Sequence, residues 1–434
     1  MMVSKVALVA ALTACSSAAL VVAPATAQPA ARAQAQQPAQ GQQAPERQWN
    51  LSAAERTALA PLLTANTTAL NAQQAGQTAD WAPVQALLPA ALAAAQGADA
   101  RYLVARVQLA VGLGTNNGPM QNEALDTLIA STATPQAELV AVLSARATRA
   151  FEAQDFATSE RHFARLLELN PNDAAVRNNL AVVRQRMGNT SGAIETLMQT
   201  IQAGETSGQL ASEDVYRRAL SLAYTARNRA QTMDLAARLA RNYPAGRNWR
   251  DAVRLYQQLV NPTPALSLDA MRLGRASGGL EGEGDYLSFA QTLDQAGLPG
   301  ETKAVLDEGI ARGAYAADRQ GVREMLTTAN RRIAEDQAGL ATQITQARSA
   351  PQGRLARAVA DALYGYGRYA EAAELYRLAA DKGGEDRNLV TLRLGASLAM
   401  AGQRAEAETA LRGVTGDAGD LARLWLAWLA RRPS

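Results

Sequence analysis

From Leu51 onward, apolar residues recur at spacings of three and four, with no sustained alternation of period two. That pattern predicts helices, and Gly, Asn or Pro between the apolar runs predicts short ones, about 12–16 residues each. Residues 317–347 depart from this length. Val322, Met325, Leu326, Ala329, Ile333, Leu340 and Ile344 fall at helical spacing there, which predicts one long helix, or two split near Gly339. The fold class expected is all-α.

The helical pattern repeats. "FEAQDFATSERHFARLLELNP" (151–171) and "RMGNTSGAIETLMQTIQAG" (186–204) occupy equivalent places about 34 residues apart, and "YGRYAEAAELYRLAADKG" (366–383) and "MAGQRAEAETALRGV" (400–414) about 35 apart. Leu180-Ala181 and Leu394-Gly395 are large-then-small pairs in first helices. Gly188, Gly367 and Gly402 stand at turns. Ala193, Ala372 and Ala407 stand where two helices touch closely, with Phe163, Tyr376 and Leu411 four residues beyond the same small position. Pro171 and Pro244 end second helices, because Pro cannot continue a helix.

In these features the chain resembles the tetratricopeptide repeat (TPR) family, most strongly at 140–244 and 353–416. The resemblance implies a TPR-like α-solenoid of stacked antiparallel helix pairs, in two subarrays. Ser159 stands where the family has Ala, and several first helices lack the usual aromatics. The organisation expected is degenerate helical repeats at 49–135, a TPR-like subarray at 136–273, a Gly-rich joint at 274–285, a helix pair plus the long helix at 286–350, and further repeats at 351–434. "LARLWLAWLARRPS" is expected to cap the array, with Trp425 and Trp428 sharing a face.

The beginning of the chain has another pattern. Lys5 precedes an apolar run from Val6 to Ala23, and Ala25-Thr26-Ala27 offers small residues for cleavage, which predicts an export signal at 1–27. Leu12-Thr13-Ala14-Cys15 resembles a lipobox, so lipidation at Cys15 stays open beside a soluble periplasmic form. The Gln/Ala/Pro-rich stretch 28–48 offers too little apolar surface to offset ordering entropy and is expected to be a disordered linker.

Composition narrows the function classes. The 43 basic and 40 acidic residues give a formal charge of +3 without a long run of one sign, which argues against nucleic acid or an anionic membrane surface as the main partner. Membrane association is expected only through a lipid anchor. One cysteine and one histidine, His162, leave no thiolate or imidazole metal site, and no cofactor is expected. The acidic trio Glu281, Glu283 and Asp285 lacks EF-hand spacing.

One stretch imitates a cofactor motif. Gly365-Tyr366-Gly367-Arg368-Tyr369-Ala370 fits the dinucleotide fingerprint, and Asp386 follows where a ribose-binding acid belongs. The fingerprint needs a strand before it. "RLARAVADALY" is instead an amphipathic helix, so the glycines read as a turn between helices. Cell-wall lytic enzymes that combine a solenoid with a catalytic Glu-Ser pair are a further alternative; no Glu-Ser dipeptide occurs here.

The remaining candidate surface is the groove that first helices line in TPR arrays. The resemblance places Asn178, Asn179, Arg186 and Arg218 there, and Arg354, Arg357, Asp361 and Tyr364 in the later repeats. Asn179 and Arg218 match two positions of the carboxylate clamp some TPR proteins use, but Ser144, Thr148 and Asp214 occupy the other three. The plain reading of these residues is solvated helix faces. The expected role is a non-enzymatic scaffold for proteins or extended peptides in the cell envelope. The alternative is an accessory scaffold of an envelope polysaccharide machine, which the Sel1-like ending "LYRLAADKG" also suggests.

Overall fold

The computed structural model describes residues 48–431, and among these it has twenty α-helices and no strand. Cys15 and the segments 1–27 and 28–47 lie outside the described residues. The chain divides into two compact units, 1–203 and 204–434, with the division inside one helix.

The first unit holds α1 (Ala53–Gln74), α2 (Ala82–Ala94), α3 (Ala98–Gly114), α4 (Gly118–Ala130), α5 (Gln136–Glu152), α6 (Phe156–Leu169), α7 (Ala174–Arg186) and most of α8 (Thr190–Ser207). Helices adjacent in sequence pack against each other from α1 to α7. Ser52 and Glu55 form a reciprocal capping box at the start of α1. The Glu55 carboxylate also accepts from the amides of Gln96 (3.1 Å) and Gly97 (2.7 Å), so one acid ties the starts of α1 and α3 together. Those bonds, first from Gly97 and then from Ser52, hold its pKa down to about 2.

The second unit holds α9 (Glu213–Thr225), α10 (Arg229–Asn242), α11 (Gly246–Val260), α12 (Pro264–Ala276), α13 (Gly282–Gln295), α14 (Pro299–Ala311), α15 (Gln320–Ser349), α16 (Arg354–Gly365), α17 (Tyr369–Lys382), α18 (Arg387–Met400), α19 (Arg404–Arg412) and α20 (Gly416–Leu429). The long apolar pattern forms one 30-residue helix, α15, with Gly339 inside it. The Gly-rich stretch 274–285 begins inside α12 and ends inside α13. Its middle is held by Arg250, whose Nε donates to the Gly279 carbonyl at 3.1 Å.

One turn recurs in both units. At Gly367 (φ 74°) the amide donates to Tyr364 O, and the next amide, of Arg368, donates to Leu363 O. This ends α16 by satisfying two of its last carbonyls, and the left-handed φ suits Gly. Gly188 and Gly402 make the same pair of bonds. So do Asn116, Gln154 and Arg227, each at positive φ without being Gly. The Gly365/Gly367 fingerprint is thus a helix-ending turn, and Asp386 caps α18, accepting from the amides of Asn388 and Leu389. Ala193, Ala372 and Ala407 are fully buried. These helix pairs, with their shared turn and small contact residues, make the chain a TPR-like all-α solenoid.

The second unit closes on itself. Besides its sequence neighbour α19, α20 packs on α10, α11, α12 and α18. Trp428 Nε1 donates to the Ala276 carbonyl at the end of α12 (3.1 Å), and Arg229 at the start of α10 pairs with Asp417 and Asp420 in α20 (2.7 Å each). The tryptophans expected to cap the last repeat therefore also cover helices far earlier in the sequence.

Candidate functional site

The eight candidate groove residues separate by exposure. In the first unit, the exposed positions of α5 include Val140, Ser144 and Thr148, and those of α7 include Ala175, Asn179 and Arg186. Spacings of four and seven put each set on one helix stripe. No carboxylate lies in either set, and Arg186 has no ion-pair partner among the described residues. Asn178 points elsewhere. Its side chain is half-buried and its Oδ1 has no hydrogen-bond partner. In the second unit, Arg218 of α9 is exposed, with Asp214, Ser221 and Thr225 on the same stripe.

The stripe on α16 behaves differently. Exposure falls along it, from exposed Arg354, through half-buried Arg357, to buried Asp361 and Tyr364. Asp361 and Tyr364, expected on an open groove, instead belong to an interior ion network. Arg393 of α18 donates from Nε to both oxygens of Asp269 on α12 (3.1 and 2.9 Å) and from one terminal nitrogen to both oxygens of Asp361 (2.8 and 2.9 Å). Arg272 of α12 donates to Glu301 of α14 (2.7 Å) and to Asp269 (3.0 Å), and its guanidinium lies 4.5 Å from the centre of the Tyr364 ring. Tyr376 of α17 donates to Asp361 at 2.5 Å.

Charge is nearly balanced inside. Arg272 and Arg393 face Asp269, Glu301 and Asp361, and the partly exposed Arg357 supplies the third positive charge, bonded to Asp361 (2.9 Å) and Glu385 (2.7 Å). Burial alone would lower the pKa of Arg393; Asp269 and Asp361 more than reverse this and raise it. Burial raises the Tyr364 and Tyr376 phenols. Both guanidiniums stay charged and every carboxylate is engaged by one. The network joins five helices; it presents no free acid, base or nucleophile.

Sequence reasoning missed Asp269, Arg272, Glu301 and Arg393. One signal was available. Arg393 interrupts the apolar run "LVTLRLGASLAM", and a charge in the middle of a buried helix requires partners.

Other groups are accounted for by packing. His162 is buried on α6, and burial followed by Arg161 and Arg146 lowers its pKa. Ser159, one turn earlier, is fully buried with an unpaired hydroxyl. A cleft of about 270 Å³ beside Trp81, lined by Leu70, Gln73 and Leu113 among others, contains no titratable side chain. Among the described residues, no His/Cys/Asp/Glu group is arranged to hold a metal ion, and no helix is long and apolar enough to cross a membrane.

No protein-family model matches this sequence, and no curated protein matches it. Solved structures do. A tetratricopeptide repeat protein from Parabacteroides merdae aligns at 13% identity and a TM-score of 0.26, covering 60% of this chain and 98% of its own. Pseudomonas aeruginosa PilF aligns at 17% identity and a TM-score of 0.24, covering 55% and 93%. The Naa15/Naa10 complex bound to HypK aligns at 14% identity and a TM-score of 0.33, covering 82% of this chain and 59% of that one. At such scores the likenesses carry no argument about role. The fold rests on the helix pairs themselves.

Proposed function

We propose that this protein is a non-enzymatic scaffold that holds a protein or an extended peptide in the bacterial cell envelope. The observation that carries the reading is the pair of exposed stripes on α5 and α7. Val140, Ser144, Thr148 and Ala175 are small and uncharged and leave room for a chain laid across them, while Asn179 offers an amide and Arg186 a cation. Binding of this kind needs no reacting group; a few anchors supply most of its energy. The envelope location is supported by the leader-like pattern from Lys5 to Ala27, with Cys15 as the lipidation alternative.

The test is capture from envelope extract followed by titration of the purified partner. Asn179→Ala with Arg186→Ala is expected to weaken binding by about tenfold, or about 1.4 kcal/mol. Unchanged affinity would remove the stripes as the binding surface. Mass spectrometry of the mature N-terminus distinguishes a free Gln28 from a lipidated Cys15.

A further inference from the structure

Gly114 ends α3 at a position where no turn requires glycine. It is the last helical residue, and its φ is not left-handed. What it admits is the indole of Trp81, because an added Cβ would lie 2.1 Å from Trp81 Nε1 and 2.3 Å from Cε2. Trp81 is 8% exposed, yet its Nε1 makes no hydrogen bond among the described residues. A buried indole N–H normally finds an acceptor. The indole nitrogens of Trp249 and Trp425 are also unpaired, but protein encloses them; that of Trp81 is not enclosed. It stands over Gly114, and both residues line the 270 Å³ cleft of the first unit. An unused donor is thus set at the cleft.

The rest of the cleft divides in two. Its floor is apolar, with Leu70 of α1 beside Ala110 and Leu113 of α3, all half-buried. Its rim is Gln73, Gln77 and Thr78, which are exposed and whose side chains make no hydrogen bond among the described residues. No charged side chain lines it. Asp80, next to Trp81 in sequence, is turned to α2, where it accepts from the Ala82 amide at 3.0 Å. A charged group on this floor would lose its water and gain no partner. A glutamine amide carries one donor group and one acceptor, the same pair that a peptide unit presents.

We propose that this cleft binds an uncharged stretch of extended peptide. One apolar side chain of the peptide sits on Leu70, Ala110 and Leu113. A backbone carbonyl accepts from Trp81 Nε1, and a peptide unit meets the amides of Gln73 and Gln77. The site is separate from the stripes on α5 and α7 and does not depend on them.

The five tryptophans give five indole N–H resonances, and Trp81→Phe identifies that of Trp81. The probe is the blocked tripeptide acetyl-Ala-Leu-Ala-amide, titrated into the full-length protein labelled with nitrogen-15. The Trp81 resonance should move saturably while the others hold still. Counterparts with Asp or Lys in the central place should bind at least about tenfold more weakly. Ala110→Phe fills the floor and should abolish the shift. Gln73→Ala with Gln77→Ala keeps the floor and should weaken binding several-fold, whereas Asn179→Ala with Arg186→Ala should leave it unchanged. The proposal is overturned if the Trp81 resonance does not move, or if the charged tripeptides bind as well. It is equally overturned if the glutamine variant, with its indole resonances at wild-type positions, keeps full affinity, or if the Asn179→Ala, Arg186→Ala variant loses the shift.

Discussion

Replacing Arg393 by Met should be among the most damaging single changes in the second unit. Arg393 is about 5% exposed and engages both oxygens of Asp269 and both of Asp361. Met fills a similar length but cannot donate. Two buried carboxylates would lose their shared cation, leaving Arg272 to serve Asp269 and Glu301, and Arg357 to serve Asp361 from the rim. Removing one partner of a buried ion pair costs about 3–5 kcal/mol, mostly from the charges left behind. For a unit of this size that is a fall in Tm of roughly 6–20 °C. Urea or thermal unfolding read by tryptophan emission measures it. Trp49→Phe and Trp81→Phe in the background leave Trp249, Trp425 and Trp428 to report the second unit alone. Adding Asp269→Asn and Asp361→Asn to the Met variant should recover at least half of the loss, because neutral amides do not need the cation. The reasoning fails if Arg393→Met costs less than about 1 kcal/mol, or if the triple variant is no more stable than the single one.

Three further outcomes follow from features of the fold. The pKa of Glu55 is held down at about 2 against an ordinary 4.5, so its contribution is complete above pH 4.5 and is lost as pH falls through 2; amide exchange at the starts of α1 and α3 should accelerate over that window, and Glu55→Gln should abolish the dependence. Arg227 holds a left-handed conformation at φ 55° where Gly is at home, so Arg227→Gly should stabilise the second unit by about 1 kcal/mol in a denaturant titration. Gly395 faces Leu411 so closely that an added Cβ would lie 2.6 Å from its Cγ; Gly395→Ala should cost about 1–3 kcal/mol, relieved by Leu411→Ala in a double-mutant cycle.

What the sequence disclosed were features obeying local rules. Gly188, Gly367 and Gly402 announced their turns because Gly is the usual residue at positive φ, and Ala193, Ala372 and Ala407, at the small position of the repeat, are all buried. Elsewhere the same turn is made by Asn116, Gln154 and Arg227, which carry no such signature, and of these only Asn116 falls in the stretch that looked degenerate. Exposure was harder to read. Arg354, Arg357, Asp361 and Tyr364 share one stripe, and periodicity shows which face of a helix packs on its neighbour. It does not show that the opposite face is covered by helices far along the chain. Asp361 is buried because Arg393 bridges it to Asp269, 124 residues from Arg393, and no local pattern encodes that distance.

Closure also restricts how the second unit can change in length. An open array of helical hairpins tolerates gain or loss of one hairpin, because each contacts only its neighbours. Here α20 must return to α10–α12 while Arg393 meets Asp269. Adding or deleting a hairpin between α12 and α18 would rotate and displace one side of both matches at once. The number of helices in this unit is therefore fixed, as the number of staves is fixed in a barrel of given diameter, and duplication of a repeat is a change it cannot absorb.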